Sequence, residues 1–431
     1  MNPFPMVLAD LRALRWTALA IVALVALAVA IGVAIGAQER ALRRSSAAAA
    51  DDFDLLIGAP GGQTQLLMST IYLQPDALPL TDGRLLNALS KDERVAQVAP
   101  IAFGDISRGY AIVGTTAAFA GRWGRLQPSE GRLFAAEGEA VLGADVAYKL
   151  GDMIAPSHGV SGHAPRPGEV DDEEAVHRHE GHGYTAVGRL PRLGSPWDRA
   201  ILVPIESVWE VHGLGNGHAP EEAGNPFWGK GSGTGETRAP AESRIGLPFE
   251  GQRVPGVPAI VVKPRSVAGA YALRAQYRQG GTMAFFPAEV LVTLYRALGD
   301  VRNVLVVAST LNAVLILAAV VLLLVAVAGL RRRRYAVLRA LGAPRAYVML
   351  VIWLGMALLI GAGCLLGLGL GALATKAVSG LVEAQTGLRL TFALEGQEML
   401  QVLLLFAIGS AISLLPALLS YRAPAVAGLR D

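Results

Sequence analysis

One cysteine, Cys364, in a chain of 431 residues excludes an intrachain disulfide. Its place inside an apolar run makes it a buried, inert thiol rather than a nucleophile. Residues 38–302 contain no cysteine, which fits an oxidising compartment. Charge is also scarce: 17% of residues are Asp, Glu, Lys or Arg, against about a quarter in soluble domains. The formal net charge is only +3, so nothing points to nucleic acid as a partner. There is no Ser nucleophile elbow, no HExxH and no CxxC, and so no motif for catalysis by this chain.

What the chain does have is apolar length. Half of it, 52%, is hydrophobic, and spanning about 30 Å of hydrocarbon takes about 20 apolar residues. Four stretches are long enough and free of charge: Trp16–Ala37, Asn303–Leu330, Ala346–Thr375 and Met399–Tyr421. The expected plan is therefore four transmembrane helices in one-plus-three order, in contact with membrane lipid. A large α+β domain, residues 38–302, separates the first from the second, and residues 376–398 form a short loop between the third and fourth. The first run is well beyond the 7–15 residues of a signal-peptide core.

Arginine sets the orientation. Residues 331–345 carry Arg331, Arg332, Arg333, Arg334, Arg339 and Arg345, whereas residues 376–398 carry Lys376 and Arg389 against Glu383, Glu395 and Glu398. The positive-inside rule makes the arginine loop cytoplasmic, together with the termini 1–15 and 422–431, and places the large domain outside. Arg40, Arg43 and Arg44 run against this, but large domains translocate largely regardless of such charges. Gly355, Gly363, Gly367 and Gly371 share one face of the third span, which lets another backbone come close. That neighbour is either a span of the same chain or a second copy. Pro416 is expected to kink the fourth span.

Within the large domain, Tyr110–Val113, Ala200–Val203 and Ala259–Val262 read as strands bounded by Gly or Pro. DVAYKLG suggests a helix from Asp145 to Gly151. A second helix starts at Pro287, with Val290, Leu291, Leu294 and Leu298 at helical spacing. It leads through Gly299 and Asp300 to the second span as a stalk able to carry motion. The segments Pro156–Asp172 and Gly213–Glu242 have the composition of surface loops. GNPFWGKG, Gly224–Gly231, looks like a P-loop, but Gly231 stands where a magnesium-binding Ser or Thr belongs.

All seven histidines fall between His158 and His218. His177, His179 and His182 follow Asp171, Asp172, Glu173 and Glu174, and imidazole with carboxylate is the usual thiol-free donor set for zinc. These three, with His158 and His163, are the candidate metal ligands. A solvated low-complexity loop has the same composition. In the arginine loop, YAVLRALGAP reads as a short amphipathic helix stopped by Gly342, a docking element for a soluble partner.

That loop resembles the signature of FtsX-like ABC transporter permeases of the MacB and LolC type. The likeness rests on Ala336, Leu338, Arg339, Ala340, Leu341, Gly342, Ala343 and Arg345. The family usually has an acidic residue where this chain has Arg334. EAVLGADVAYKLGD, with Gly143, Ala144, Asp145, Leu150, Gly151 and Asp152, resembles the family's outer core. So does VGRLPRLGSPWDRAILVP, with Gly188, Gly194, Pro196, Asp198, Arg199 and Pro204. The resemblance implies a mechanotransmission permease in the bacterial inner membrane, paired as a homodimer and bearing a periplasmic domain. A separate ATP-binding subunit would hold ATP and magnesium and dock on Arg334, Tyr335, Val337, Leu338, Arg339, Leu341 and Gly342. FDLLIGAPGGQTQLLMSTIYLQP, Phe53–Pro75, is similar to permeases found with zinc-regulated, His-rich periplasmic proteins. This makes zinc the candidate metal and such a protein a candidate partner. The other expectations are extraction of lipoprotein, lipid or hydrophobic compounds, and a membrane-anchored receptor or regulator that moves no substrate.

Overall fold

A computed structural model describes residues 2–158, 177–178, 183–218, 244–249, 251, 253–330, 332–391, 393–415 and 417–418. The chain opens with helices α1 (Phe4–Ala13) and α2 (Arg15–Ala49). Then come β1 (Leu55–Gly58), α3 (Gln63–Tyr72), α4 (Arg84–Ser90), β2 (Val95–Ser107), β3 (Tyr110–Thr115) and α5 (Ala117–Ala120). The strands β4 (Glu130–Gly131), β5 (Glu139–Leu142), β6 (Met153–Ile154), β7 (Ser157–His158), β8 (His177–Arg178), β9 (Tyr184–Arg189) and β10 (Ala200–Pro204) follow. After them run α6 (Ile205–Val211), β11 (Ala259–Pro264), α7 (Val267–Tyr277) and β12 (Met283–Phe285). The chain ends in α8 (Pro287–Leu330), α9 (Arg332–Ala340), α10 (Arg345–Thr386) and α11 (Gly396–Ile412).

The chain divides into two compact units. The helical unit comprises residues 1–43, 296–382 and 390–431; the sheet unit comprises residues 44–295 and 383–389. Among the described residues, α2 and α10 are long and apolar enough to cross a membrane, and α11 is a shorter apolar helix. Pro287 opens α8 at the first turn, where its missing N–H costs nothing, and the helix continues through Gly299 and Asp300 without a break. Pro416, the expected kink, lies outside the described residues.

The sheet unit is mixed, ordered β12-β1-β11-β2-β3-β10-β5-β9-β4, with β6 on β9 and β7 between β2 and β8. β3 runs parallel to β10 and β5 to β9; the remaining pairings are antiparallel. The apolar runs at Tyr110, Ala200 and Ala259 each form a strand, and all of β10 is buried. Helices must therefore cover both faces of the central strands. α6 packs on β3 and β10, and α7 packs on β1, β11 and β12. The resulting core includes Leu55, Ile57, Leu142, Ile201, Val203, Ile260 and Val262.

One expected helix is absent: residues 145–151 form turn and coil. The carbonyls that a helix would use face Arg189 instead. Its guanidinium donates to Gly143 O at 3.3 Å, Val146 O at 2.9 Å and Tyr148 O at 2.5 Å. Val146 and Tyr148 are buried in the sheet core. A charged donor serving several carbonyls outweighs the weak helix preference of a seven-residue segment.

Candidate functional site

The candidate docking element is α9. It ends in a Schellman turn: Gly342 adopts φ +95°, its N–H donates to Arg339 O at 3.1 Å, and Ala343 N donates to Leu338 O at 3.1 Å. Only glycine enters that conformation without strain. Val337 and Leu341 are exposed, Leu341 to 81%. Leu338 and Arg339 are half-buried and Gly342 is exposed, and Tyr335 lies within the helix. Arg334 is mostly exposed and lies 3.4 Å from Asp10 Oδ1 on α1. An acidic group does stand beside this position, supplied by the N-terminal helix.

The glycine face of α10 lies on α2. A β-carbon at Gly363 would sit 2.6 Å from Val25 Cβ, at Gly367 2.6 Å from Ala26 O, and at Gly371 3.0 Å from Ala30 O. Gly355 is looser, with Val7 Cγ1 at 3.7 Å. Ile21, Val25, Val29 and Val33 of α2 share a buried cluster with Ile352, Met356, Ile360 and Cys364 of α10. In hydrocarbon, close backbone approach of this kind is what holds helices together.

α2, α8 and α11 surround a cleft of about 360 Å³. Val29, Val33, Val314, Leu317 and Leu405 make apolar walls, and Glu39, Arg40, Gln397 and Gln401 make it polar at one end. There Arg40 pairs with the buried carboxylate of Glu398, and Glu395 lies 3.7 Å away. Glu395 and Glu398 form a capping box that starts α11.

In the sheet unit, the two family-like motifs meet. Gly143 N donates to Ala200 O and Asp145 N to Asp198 O, both at 2.8 Å, and Arg192 pairs with Asp145. Buried Asp198 accepts from Leu193 N at 2.7 Å and Gly194 N at 2.6 Å. Burial raises its pKa, and those two N–H groups oppose the rise. The segment Glu383–Arg389 lies across this turn. Arg199 donates to Ala384 O at 2.5 Å, Arg389 N to Gly194 O at 3.1 Å, and Arg192 reaches Glu383 at 3.4 Å.

Beside that turn, Arg122 is 2% exposed, with its guanidinium 4.5 Å from both the Phe119 and Trp197 ring centres. It donates to Asp52 Oδ2 at 2.9 Å and Phe119 O at 3.1 Å, and Arg125 pairs with the same Asp52. Burial pushes the Arg122 guanidinium down to about 10, opposed by Asp52, so it stays charged at neutral pH. No sequence pattern marked this node, which brings Asp52 and Trp197 onto the Phe119–Arg125 segment from some seventy residues away on either side.

Of the five candidate metal ligands, His163, His179 and His182 lie outside the described residues, as does Gly224–Gly231. The backbone register places His158 opposite His177 and also opposite Asp105. Among the described residues no group of three or more His, Cys, Asp or Glu side chains is arranged to hold a metal ion.

Two helices long and apolar enough to cross a membrane thus accompany a mixed α+β sheet unit and a short basic helix with exposed apolar side chains. Residues 306–425 match the FtsX-like permease C-terminal family model, and residues 16–220 match the MacB-like periplasmic core domain model. The chain belongs to the ABC transporter permease family, as an FtsX-like permease with a MacB-like periplasmic core domain. That family has no ATPase domain of its own and implies an ATP-binding partner subunit. Among solved structures, the periplasmic region of MacB from Actinobacillus actinomycetemcomitans is 12% identical with a TM-score of 0.30, covering 56% of this chain and 92% of that one. The extracellular domain of the noncanonic ABC-type transporter YknZ from Gram-positive bacteria is 11% identical with a TM-score of 0.28, covering 54% and 98%. No curated protein matches the chain.

Proposed function

We propose that this chain is the membrane subunit of a mechanotransmission ABC transporter in a bacterial inner membrane. In this reading α2, α8, α10 and α11 are four spans, two copies pair, and α9 rests on an ATP-binding subunit that holds the nucleotide and magnesium. The observation that carries the reading is α9 itself: Val337 and Leu341 are exposed on a short basic helix stopped by Gly342. Water disfavours that arrangement unless a partner covers it. ATP-driven motion at α9 would reach the sheet unit along α8, which is one uninterrupted helix.

Co-purification tests this. The wild-type chain extracted from membranes should bring down an ATP-binding subunit, and Arg339→Glu with Leu341→Asp should lose it while still folding. Equal recovery with both chains would refute docking through α9. Recovery with neither would favour the receptor reading.

A lipophilic cargo is the second reading, supported by the cleft with apolar walls and a polar end between α2, α8 and α11. Zinc handling is a narrower proposal. Its support is the histidine-rich composition and the backbone register that aligns Asp105, His158 and His177.

A further inference from the structure

Glu206, in the first turn of α6, is 1% exposed. One of its oxygens, Oε1, receives the Gly246 N–H at 2.6 Å and lies 3.3 Å from His218 Nε2. A single buried carboxylate thus clamps two segments that are remote in sequence. Both are also tied elsewhere: Gly251 N donates to Gly217 O at 2.6 Å, and the His218 ring lies 5.1 Å from Phe249, itself packed on Trp209.

A second pair of carboxyls adjoins the clamp. Glu137 accepts from Asn216 at 3.4 Å, within the same segment as His218, and Glu210, one turn beyond Glu206 on α6, lies beside the Glu137 carboxyl. The other titratable groups around them are Asp105 on β2, Tyr184 on β9 and His212 at the end of α6. Two adjacent carboxylates beside a third cannot all ionise cheaply in a half-buried site.

We propose that this cluster is a proton-operated latch: a proton shared by Glu137 and Glu210 keeps the His218 and Gly246 segments locked on α6, and its loss frees them. Burial, followed by the charge of Glu137 and the hydrogen bond to it, raises Glu210 to about 7. A carboxyl raised on folding contributes stability that is present below its usual 4.5 and is lost as pH rises through its folded value. The latch is therefore closed in mild acid and open in mild base. Opening places a second negative charge next to Glu206 and the Asn216 contact, and so loosens both segments together.

Hydrogen–deuterium exchange on the full chain in detergent micelles tests it, with rates corrected for base catalysis. Proton occupancy falls about tenfold one unit above the midpoint, so protection at Gly246 and Gly251 should drop about tenfold between about pH 6 and about pH 8. Glu210→Gln should retain protection at both values, and Glu206→Gln should lower it at both. Equal wild-type protection across that range, or a Glu210→Gln chain that titrates as wild type does, would overturn the proposal. If Glu210→Gln does not fold, Glu137→Gln serves the same purpose, and the wild-type profile is decisive without either variant.

Discussion

Replacing Arg122 tests whether the sheet unit is organised around a buried cation. Its guanidinium lies 4.5 Å from two ring centres, donates to Asp52 at 2.9 Å and to the Phe119 carbonyl, and is 2% exposed. Breaking a buried ion pair from one side costs about 3–5 kcal/mol, and a desolvated cation–π contact adds up to about 2. Two effects offset this. The desolvation penalty of the guanidinium disappears with it, and Asp52 keeps Arg125. Arg122→Ala, which also leaves a cavity, should therefore destabilise the sheet unit by about 3–5 kcal/mol. Arg122→Met, which refills the space between the rings, should cost less than half as much. At about 2–4 °C per kcal/mol for a unit of this size, alanine should lower the midpoint by on the order of 10 °C. Tryptophan emission gives the assay directly, since Trp123 and Trp197 belong to the same aromatic cluster. Asp52→Asn strands the cation and should be at least as costly as Arg122→Met. The double variant should recover about 1–3 kcal/mol relative to the sum. A loss below about 1 kcal/mol for Arg122→Ala, or methionine proving worse than alanine, would refute the claim that the charge organises this node.

Two further outcomes test the seam and the surface. Gly367→Leu drives a side chain into Ala26 O, which lies 2.6 Å from the would-be β-carbon. It should cost about 1–3 kcal/mol or more, read as a lower melting temperature in detergent. A β-carbon at Gly369 meets nothing within 4 Å, so Gly369→Leu should not lower the melting temperature. The hydrogen bond from Arg132 and the Ala135 N–H hold the Glu139 carboxyl below its ordinary value of 4.5. Its contribution is present above that value and is lost as pH falls through the lower folded one. Glu139→Gln should therefore cost about 1 kcal/mol at neutral pH. In urea titrations the two chains should converge in strong acid.

Legibility followed the range of the interactions. The runs at Tyr110, Ala200 and Ala259 were readable because an apolar strand ended by Gly or Pro has few alternatives. Glycines in steps of four on α10 announced a close neighbour, yet periodicity says nothing about which one, and the partner α2 lies more than three hundred residues away. DVAYKLG misled because its spacing suits a helix, while the deciding group, Arg189, comes some forty residues later. The Arg122 node and the Glu206 clamp are assemblies of distant residues with no local signature. Gly342 was readable as a helix stop because a left-handed residue after an amphipathic turn is a local requirement.

The segment Glu383–Arg389 has a consequence for how such proteins can be taken apart. It belongs to the sheet unit, although the sequence that encodes it is the last turn of α10 and the first residues of the loop leading to α11. A fragment cut from the end of α2 to the start of α8 would keep every strand and still be incomplete. Gly194 O would lose the Arg389 N–H, and Arg199 would lose the Ala384 carbonyl. Grafting this outer unit onto another permease would likewise require transplanting two stretches of gene, the second deep inside what looks like the recipient's membrane half.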